Sequence, residues 1–169
     1  QTQTNWSNSR DLQFTLQQDN LDIFAGICES INIPNKAEYF RQLLSIYCDQ
    51  PRYMRERVMF SYSVKLVNEA IVAKQPLKIR YKNEYRTIEP YFIIKSDGET
   101  RNYIFAYCYT RQAYCNYRLS NIKAVSVLRN QVMEYYDAEY VGKMKNNFDA
   151  FLSYGKTVQV KLSPEGEKI

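Results

Sequence analysis

Hydrophobic and polar residues alternate with a period of two between Leu77 and Leu128. Apolar and aromatic side chains occupy every second position in several short runs, and polar turn residues separate these runs. This pattern predicts a meander of β-strands over residues 77–81, 86–95, 103–109 and 117–128. So few short strands bury both faces of a sheet only when the sheet curls, so we predict a small closed or half-closed barrel.

The residues before this region change to helical spacing, after one short amphipathic strand at residues 12–17. A first helix is predicted to begin at a cap formed by Asp19 or Asn20 and to end before the next proline. A second helix is predicted to begin after Asn35, because Glu38 stands three residues further on in a capping-box arrangement. A lone strand cannot satisfy its own backbone groups, so the strand is expected to pair outside this segment.

A third helix is predicted over residues 52–74, because apolar residues recur there at helical spacing. These residues are Val58, Tyr62, Leu66, Ala70 and Ile71. Beyond the barrel, residues 135–146 and 147–154 predict one or two short helices. The chain is therefore predicted to be an α+β protein with segments at residues 10–50, 52–75, 76–130 and 131–169.

Charge is distributed unevenly along the chain. Residues 77–130 contain 10 Lys or Arg, 4 Asp or Glu and 8 of the 16 tyrosines, whereas the whole chain has a net charge of +5. Residues 1–50 are acidic, with 3 basic and 6 acidic side chains. Because Lys and Arg bind phosphates and tyrosine rings stack on bases, the barrel has the composition of a nucleic-acid-binding surface.

The composition argues against the common catalytic and metal-binding chemistries. The sequence has no histidine, and its four cysteines (Cys28, Cys48, Cys108 and Cys115) form no C-x-x-C pair. Zinc sites with histidine and His-assisted nucleophiles are therefore excluded, and we expect no metal and no cofactor. With only 5 glycines and no glycine-rich phosphate loop, the protein is predicted not to be an enzyme. The cysteines are predicted to be buried thiols of a cytoplasmic protein, and no run is apolar enough to span a membrane.

Several segments of the predicted barrel resemble the WYL domain. Residues 106–111 (Ala-Tyr-Cys-Tyr-Thr-Arg) and 117–122 (Tyr-Arg-Leu-Ser-Asn-Ile) resemble the C-terminal half of that domain. Residues 86–91 (Arg-Thr-Ile-Glu-Pro-Tyr) are similar to its Arg-x-x-x-Pro-Tyr strand. The tripeptide that gives the family its name falls on residues 102–104, where only the tyrosine is identical. The resemblance covers about a third of the chain.

The resemblance implies an Sm-like β-barrel that binds nucleic acid or another anionic ligand. Two arginines usual in the family are replaced by Cys115 and Asn121, and two others remain. Guanidinium groups fit phosphate bidentately, and tyrosine rings offer stacking surfaces. The candidate ligand-binding residues are Arg80, Arg86, Tyr103, Tyr107, Arg111 and Arg118. The competing interpretation is core packing for each tyrosine and a solvated surface position for each arginine.

The strand and the two helices that follow it resemble a ribbon-helix-helix unit. In that family two chains pair their strands, so the resemblance implies a homodimer. The outward strand side chains of the family read DNA, and here they are Gln13, Thr15 and Gln17. Glutamine pairs bidentately with adenine, which makes base readout chemically reasonable. Because residues 1–50 are acidic, the alternative is a unit that only dimerises the chain.

Two functions are consistent with these resemblances. The first is a bacterial regulator of transcription, a homodimer that binds DNA or RNA and whose barrel holds nucleic acid or an anionic ligand. The second is a single-stranded-RNA-binding accessory protein that modulates a type VI-D CRISPR effector, because WYL accessory proteins of those systems share this order of units. The basic barrel and the acidic N-terminal segment favour RNA over operator binding. Residues 131–169 resemble the beginning of a C-terminal extension, which we expect to be incomplete in this sequence.

Overall fold

The computed structural model describes residues 13–95 and 100–150. The chain divides into two compact units, Gln1–Tyr47 and Cys48–Ile169. The predicted turn at residues 96–99 and everything predicted beyond residue 150 lie outside the described residues.

The first unit contains two helices, α1 (Gln18–Ile31) and α2 (Lys36–Asp49). The predicted cap of α2 is confirmed, because the Oδ1 of Asn35 accepts a hydrogen bond from the backbone N–H of Glu38 at 3.0 Å. The predicted cap of α1 at Asp19 or Asn20 is wrong. α1 begins earlier, and Asp19 lies in its first turn, where a carboxylate favourably meets the positive end of the helix dipole.

Residues 13–17 form no β-strand in the single chain, although their pattern predicts one. The physical reason is that a strand forms only beside a hydrogen-bonding neighbour, and the described part of the chain places none beside residues 13–17. Phe14 packs edge-on against Phe40, with the ring centroids 5.7 Å apart. The three side chains proposed for DNA readout, Gln13, Thr15 and Gln17, are exposed.

Neither helix of this unit contains a buried residue. The ring of Phe24 packs against Tyr39 and Phe40 at centroid distances of 5.7 and 4.9 Å, which joins the two helices. Large apolar side chains nevertheless remain exposed: Leu21, Ile23, Ile31, Leu43, Leu44 and Ile46. The apolar surface of this helix pair is therefore left uncovered in the single chain.

The predicted helix over residues 52–74 is interrupted in the second unit. Two helices occupy this region, α3 (Arg52–Met59) and α4 (Ser61–Ala73). They meet at Phe60, whose backbone leaves the helical conformation at φ −111° and ψ 28°. Val67 and Ala70 on α4 are fully buried, whereas Val58 on α3 and Tyr62 on α4 are 60% and 72% exposed.

Five antiparallel strands follow the helices. They are β1 (Leu77–Tyr81), β2 (Glu84–Lys95), β3 (Asn102–Cys108), β4 (Ala113–Arg118) and β5 (Ile122–Val127), in the spatial order β4-β3-β2-β1-β5. The predicted single strand over 117–128 is wrong, because a 3₁₀ turn at Leu119–Asn121 separates β4 from β5. Leu119 is fully buried, so the apolar pattern continues through the turn and hides the interruption.

The short connection between β4 and β5 requires the sheet to curl. These strands form the two edges of the sheet, which in a flat five-strand sheet are about 19 Å apart. The chain from Arg118 to Ile122 spans at most about 14 Å. The edges therefore approach one another, as in the predicted half-closed barrel, and the predicted α+β class is confirmed.

Apolar residues cover both faces of the barrel. The inner face packs against α4 through a cluster that includes Leu77, Ile79, Ile88, Ile104, Tyr117 and Leu119. Part of the outer face, around Phe92 and Phe105, packs against α5 (Ala138–Asn146), which contributes Val141 and Met144. Strand β3 is therefore covered on both sides.

The predicted helix over 135–146 begins later than expected. Asp137 caps α5, since its Oδ1 accepts a hydrogen bond from the N–H of Tyr140 at 3.0 Å. Residues 131–137 and 147–150 are not helical.

The prediction of four buried thiols is wrong for Cys48, which is exposed on α2, and only Cys108 is fully buried. No helix in the described part of the chain has the length and apolar character to cross a bilayer.

Candidate nucleic-acid interface

The strand register places two candidate arginines on opposite faces of the barrel. Arg86 pairs with Ile79, which is fully buried in the inner cluster, so Arg86 belongs to the inner face. Arg118 pairs with Tyr103 across β4 and β3, on the outer face. The structure therefore does not bring these two guanidinium groups into one site.

Arg86 is only partly engaged by protein groups, because its Nε, like that of Arg118, is buried without a hydrogen-bond partner among the described residues. Its side chain is 12% exposed and forms an ion pair with the Glu84 carboxylate. Burial lowers the pKa of Arg86, but contacts with the Cys108 thiol, Tyr117 and Glu84 outweigh burial and raise it above its ordinary value. The pKa of the Cys108 thiol is lowered. Burial alone would raise this pKa, but interactions with the Tyr117 hydroxyl, nearby backbone groups and Arg86 lower it by more. Arg86 thus places a permanent positive charge on the inner face.

Arg118 retains hydrogen-bonding capacity that the described residues do not use. Its side chain is half-buried, and its Nε is buried without a hydrogen-bond partner among those residues. Asn116, two positions earlier on the same face, donates from Nδ2 to the Asp149 carbonyl at 2.7 Å, which leaves its own Oδ1 unpaired. A buried donor without an acceptor costs about 1–3 kcal/mol. An anion placed at Arg118 would recover this cost.

The two candidate tyrosines of β3 pack against other rings. Tyr103 is 8% exposed and its ring lies 5.8 Å from that of Phe148. Tyr107 stacks on Tyr135, with the centroids 4.2 Å apart and the planes within 12° of parallel. Burial, Tyr135 and Glu89 together raise the pKa of Tyr107. Both rings therefore make packing contacts, and their role in base stacking stays a prediction.

Glu89 is a buried carboxylate that organises the outer face. It is fully buried and accepts four hydrogen bonds. Oε1 accepts from the Tyr109 hydroxyl at 2.6 Å and the Glu134 N–H at 2.7 Å, and Oε2 accepts from the Tyr91 hydroxyl at 2.9 Å and the Tyr135 N–H at 3.0 Å. Burial and the Glu89 carboxylate raise the pKa of Tyr91 and Tyr109 well above the ordinary value of tyrosine. The sequence carries no signal for this arrangement, because the donors come from distant positions.

Residues 131–137, which we call the strap, are held against the outer face by these bonds. The carbonyl oxygen of Tyr135 accepts hydrogen bonds from the hydroxyls of Tyr91 at 3.1 Å and Tyr114 at 2.9 Å. Together with the bonds from the strap to Glu89 and the stack on Tyr107, these contacts cover the β2–β3–β4 half of the outer face.

Asn102 stands where the WYL tripeptide has its tryptophan, and it is fully buried. Its backbone N–H and its Nδ2 both donate to Oε2 of Glu56 at 2.8 Å. Its Nδ2 also donates to the Tyr53 carbonyl at 2.7 Å, and its Oδ1 accepts from Nε of Arg57 at 2.9 Å. The polar residue therefore fixes α3 to the beginning of β3.

The remaining candidates, Arg80 and Arg111, are exposed. Arg111 lies in the turn between β3 and β4, and Arg80 lies on β1, opposite Tyr85 and Ala124 on the neighbouring strands. Tyr85 is 63% exposed and was not among the predicted residues. Within residues 13–95 and 100–150, no three Cys, Asp or Glu side chains gather into a possible metal site.

These features define a small basic β-barrel with arginines on both faces and a ring-rich outer surface. Residues 62–127 match the family model of the WYL domain, so this segment of the chain is a WYL domain, as the sequence motifs predicted. The match begins within α4. No curated protein matches the chain.

Two solved structures with low sequence identity resemble part of the chain. Proteasome accessory factor B/C (PafBC) of Arthrobacter aurescens is 18% identical with a TM-score of 0.42, over 46% of this chain and 12% of its own. A CRISPR Cas-related protein is 19% identical with a TM-score of 0.43, over 57% of this chain and 27% of its own. The chain thus spans only a small part of the length of either protein.

Proposed function

We propose that the chain is a homodimeric regulatory protein whose WYL barrel binds single-stranded nucleic acid. The observation that carries this proposal is the half-buried guanidinium of Arg118, whose Nε has no hydrogen-bond partner among the described residues. Guanidinium groups bind phosphate bidentately, and a partly desolvated one binds more strongly than one surrounded by water. A phosphate matches both the charge and the donor geometry of this guanidinium, as a carboxylate also does.

Charge supports a polyanion as the ligand of the barrel. Residues 77–130 contain 10 basic and 4 acidic side chains, and one of the acids, Glu89, is fully buried under four hydrogen bonds. The negative potential that Glu89 produces at the surface is therefore weaker than the positive potential of the exposed arginines. The same saturation argues against catalysis, because both oxygens of Glu89 are occupied and closed off from a substrate.

The first unit supports the homodimer. Its two helices bury no residue and leave apolar side chains such as Ile23 and Leu44 exposed, at 64% and 60%. Residues 13–17 have no strand partner among residues 13–95 and 100–150. A second copy provides both a strand partner and cover for the apolar helices, because two such strands pair antiparallel about a two-fold axis and the helix faces then cover one another.

The cysteines are free, which is typical of proteins in the reducing cytoplasm.

A second candidate function is an accessory protein that binds single-stranded RNA and modulates a type VI-D CRISPR effector. The charge distribution favours it over operator binding, since residues 1–50 have 3 basic and 6 acidic side chains. Operator binding through the exposed Gln13, Thr15 and Gln17 is the competing possibility.

The binding proposal is tested by fluorescence anisotropy with labelled single-stranded RNA, single-stranded DNA and duplex DNA of one sequence at several salt concentrations. We expect the parent to bind the single strands with a steep salt dependence, whose slope is about 0.7 per phosphate contacted. Arg118→Ala is expected to weaken binding by about 1–3 kcal/mol. Arg129→Ala, which removes an exposed arginine beyond β5, is the matched control and should change affinity little.

Three outcomes separate the candidates. Binding of duplex DNA alone, abolished by changing Gln13 and Gln17, supports operator binding and contradicts the barrel as the site. Preference for RNA over DNA supports the accessory function. Unchanged affinity of Arg118→Ala, with an intact circular dichroism spectrum, shows that Arg118 is an ordinary surface charge.

The homodimer is tested by light scattering after size-exclusion chromatography. Leu44→Lys places a charge on the exposed apolar face of α2 and is expected to convert the dimer to monomer. Val72→Lys changes an apolar residue of α4 that is even more exposed, at 84%, and should leave the dimer intact. A parent that is monomeric at micromolar concentration contradicts the proposal.

A further inference from the structure

Half of the outer face of the barrel is left uncovered by the residues that the structure describes, and this half is basic. The β2–β3–β4 half is covered by the strap and α5, whereas on β1 the outward residues Lys78 and Arg80 are both exposed. Their inward neighbours, Leu77 and Ile79, are fully buried. Strand β1 thus presents a clean alternation with two cations on the side away from the core.

The cross-strand partners of these two cations carry no charge. Lys78 lies between Thr87 on β2 and Ser126 on β5, and Arg80 lies between Tyr85 and Ala124. Opposite charges across strands are stabilising, but neither cation forms an ion pair within the described residues. The small partners Ala124 and Ser126 leave the surface beside β1 low and open.

Protection of a sheet edge does not explain these cations. Lysines on edge strands prevent strands of other molecules from pairing, but β1 is an interior strand between β2 and β5. Its hydrogen-bonding groups are already paired on both sides. The cations therefore have no evident role in protecting the fold.

Tyr85 provides an aromatic surface at the same place. It is 63% exposed, and the Nζ of Lys78 lies 5.2 Å from the centre of its ring. An exposed ring beside ammonium and guanidinium groups is the combination that proteins use to hold a single strand, since the ring stacks on a base and the cations contact flanking phosphates.

We propose that Lys78, Arg80 and Tyr85 form a second binding surface for single-stranded nucleic acid, on the bare outer face of β1. Tyr85 stacks on one base, and Lys78 and Arg80 contact the phosphates on either side. This inference rests on the proposed function of the barrel and adds a contact surface on a different part of the outer face from Arg118. A nucleic-acid strand that reaches both sites contacts the barrel at Arg118 and at the surface on β1.

The test measures the affinity of a labelled 12-nucleotide oligouridylate and of the corresponding oligothymidylate at two salt concentrations. Tyr85→Ala is expected to weaken binding about tenfold, whereas Tyr85→Phe, which keeps the ring, should bind like the parent. Lys78→Gln is expected to reduce the salt slope by about 0.7, the contribution of one phosphate. Tyr62→Ala and Lys65→Gln, exposed residues of α4, are the matched controls.

The outcomes distinguish this inference from the proposed function. If Arg118→Ala weakens binding and the Tyr85 and Lys78 variants bind like the parent, the second surface is refuted and the barrel function stands. If the parent binds neither oligonucleotide, both proposals are refuted. If polyglutamate competes as effectively as oligouridylate, the surface binds polyanions without selecting nucleic acid, and the inference is also refuted.

Discussion

Replacement of Glu89 by glutamine is expected to destabilise the barrel although the two side chains have nearly the same shape. Each oxygen of Glu89 accepts one backbone N–H and one tyrosine hydroxyl. Glutamine provides one oxygen and one NH₂ group, and an NH₂ group only donates. Whichever way the amide turns, its NH₂ group faces a backbone N–H of the strap and a tyrosine hydroxyl.

The expected magnitude follows from these four bonds. The hydroxyl facing the NH₂ group can rotate and accept, but the backbone N–H of Glu134 or Tyr135 cannot, and a buried orphan donor costs about 1–3 kcal/mol. The two bonds to the remaining oxygen lose their ionic acceptor, which costs roughly 1 kcal/mol each. Glu89→Gln should therefore lower the free energy of unfolding by roughly 3–5 kcal/mol, out of a typical total of about 5–15 kcal/mol.

The assay is urea denaturation followed by circular dichroism at neutral pH. Glu134→Gln is the matched control, because it removes the same charge from an exposed side chain and keeps the backbone N–H that donates to Glu89. The control should change the free energy of unfolding by less than about 0.5 kcal/mol. Equal effects of the two substitutions, or a loss below about 1 kcal/mol for Glu89→Gln, would refute the reasoning.

Three further predictions concern the same side of the barrel and its helix contact. Because burial and Glu89 raise the pKa of Tyr91 above the unfolded value of about 10, its stabilisation is full below pH 10 and is lost as the pH rises further. Urea midpoints should therefore fall between pH 9.5 and about 11, less so in Tyr91→Phe, and a flat profile contradicts this. Asn102→Leu removes three side-chain hydrogen bonds and should cost about 2–4 kcal/mol, whereas the exposed control Asn68→Leu should cost almost nothing. Tyr135→Ala uncovers the ring of Tyr107, so oligonucleotide affinity should rise if that ring can stack on a base, and an unchanged affinity assigns Tyr107 to packing alone.

The sequence predicts the barrel well because its signal is local. Alternation of Leu77, Ile79 and Tyr81 with Lys78 and Arg80 is enough to define β1 and its buried side. Where an apolar pattern passes through a change of structure, prediction fails. Leu119 is buried in a turn, so the end of β4 leaves no trace in the periodicity.

The candidate site was only partly predictable, for a different physical reason. Whether Arg86 and Arg118 share a face depends on strand register and on the connection between β4 and β5, neither of which periodicity reveals. Tyr107 has the sequence context of a stacking residue, but a residue of the distant strap occupies its ring. Tyr85 was missed because a single tyrosine beside a turn has no distinctive pattern, and only its exposure beside Lys78 marks it.

Binding of nucleic acid by the barrel is most directly tested by a crystal structure of the protein with a bound single-stranded oligonucleotide. We expect phosphate oxygens within about 3 Å of the Arg118 guanidinium, on the outer face of the barrel. An oligonucleotide bound only to the first unit, with no phosphate at the barrel, would contradict it.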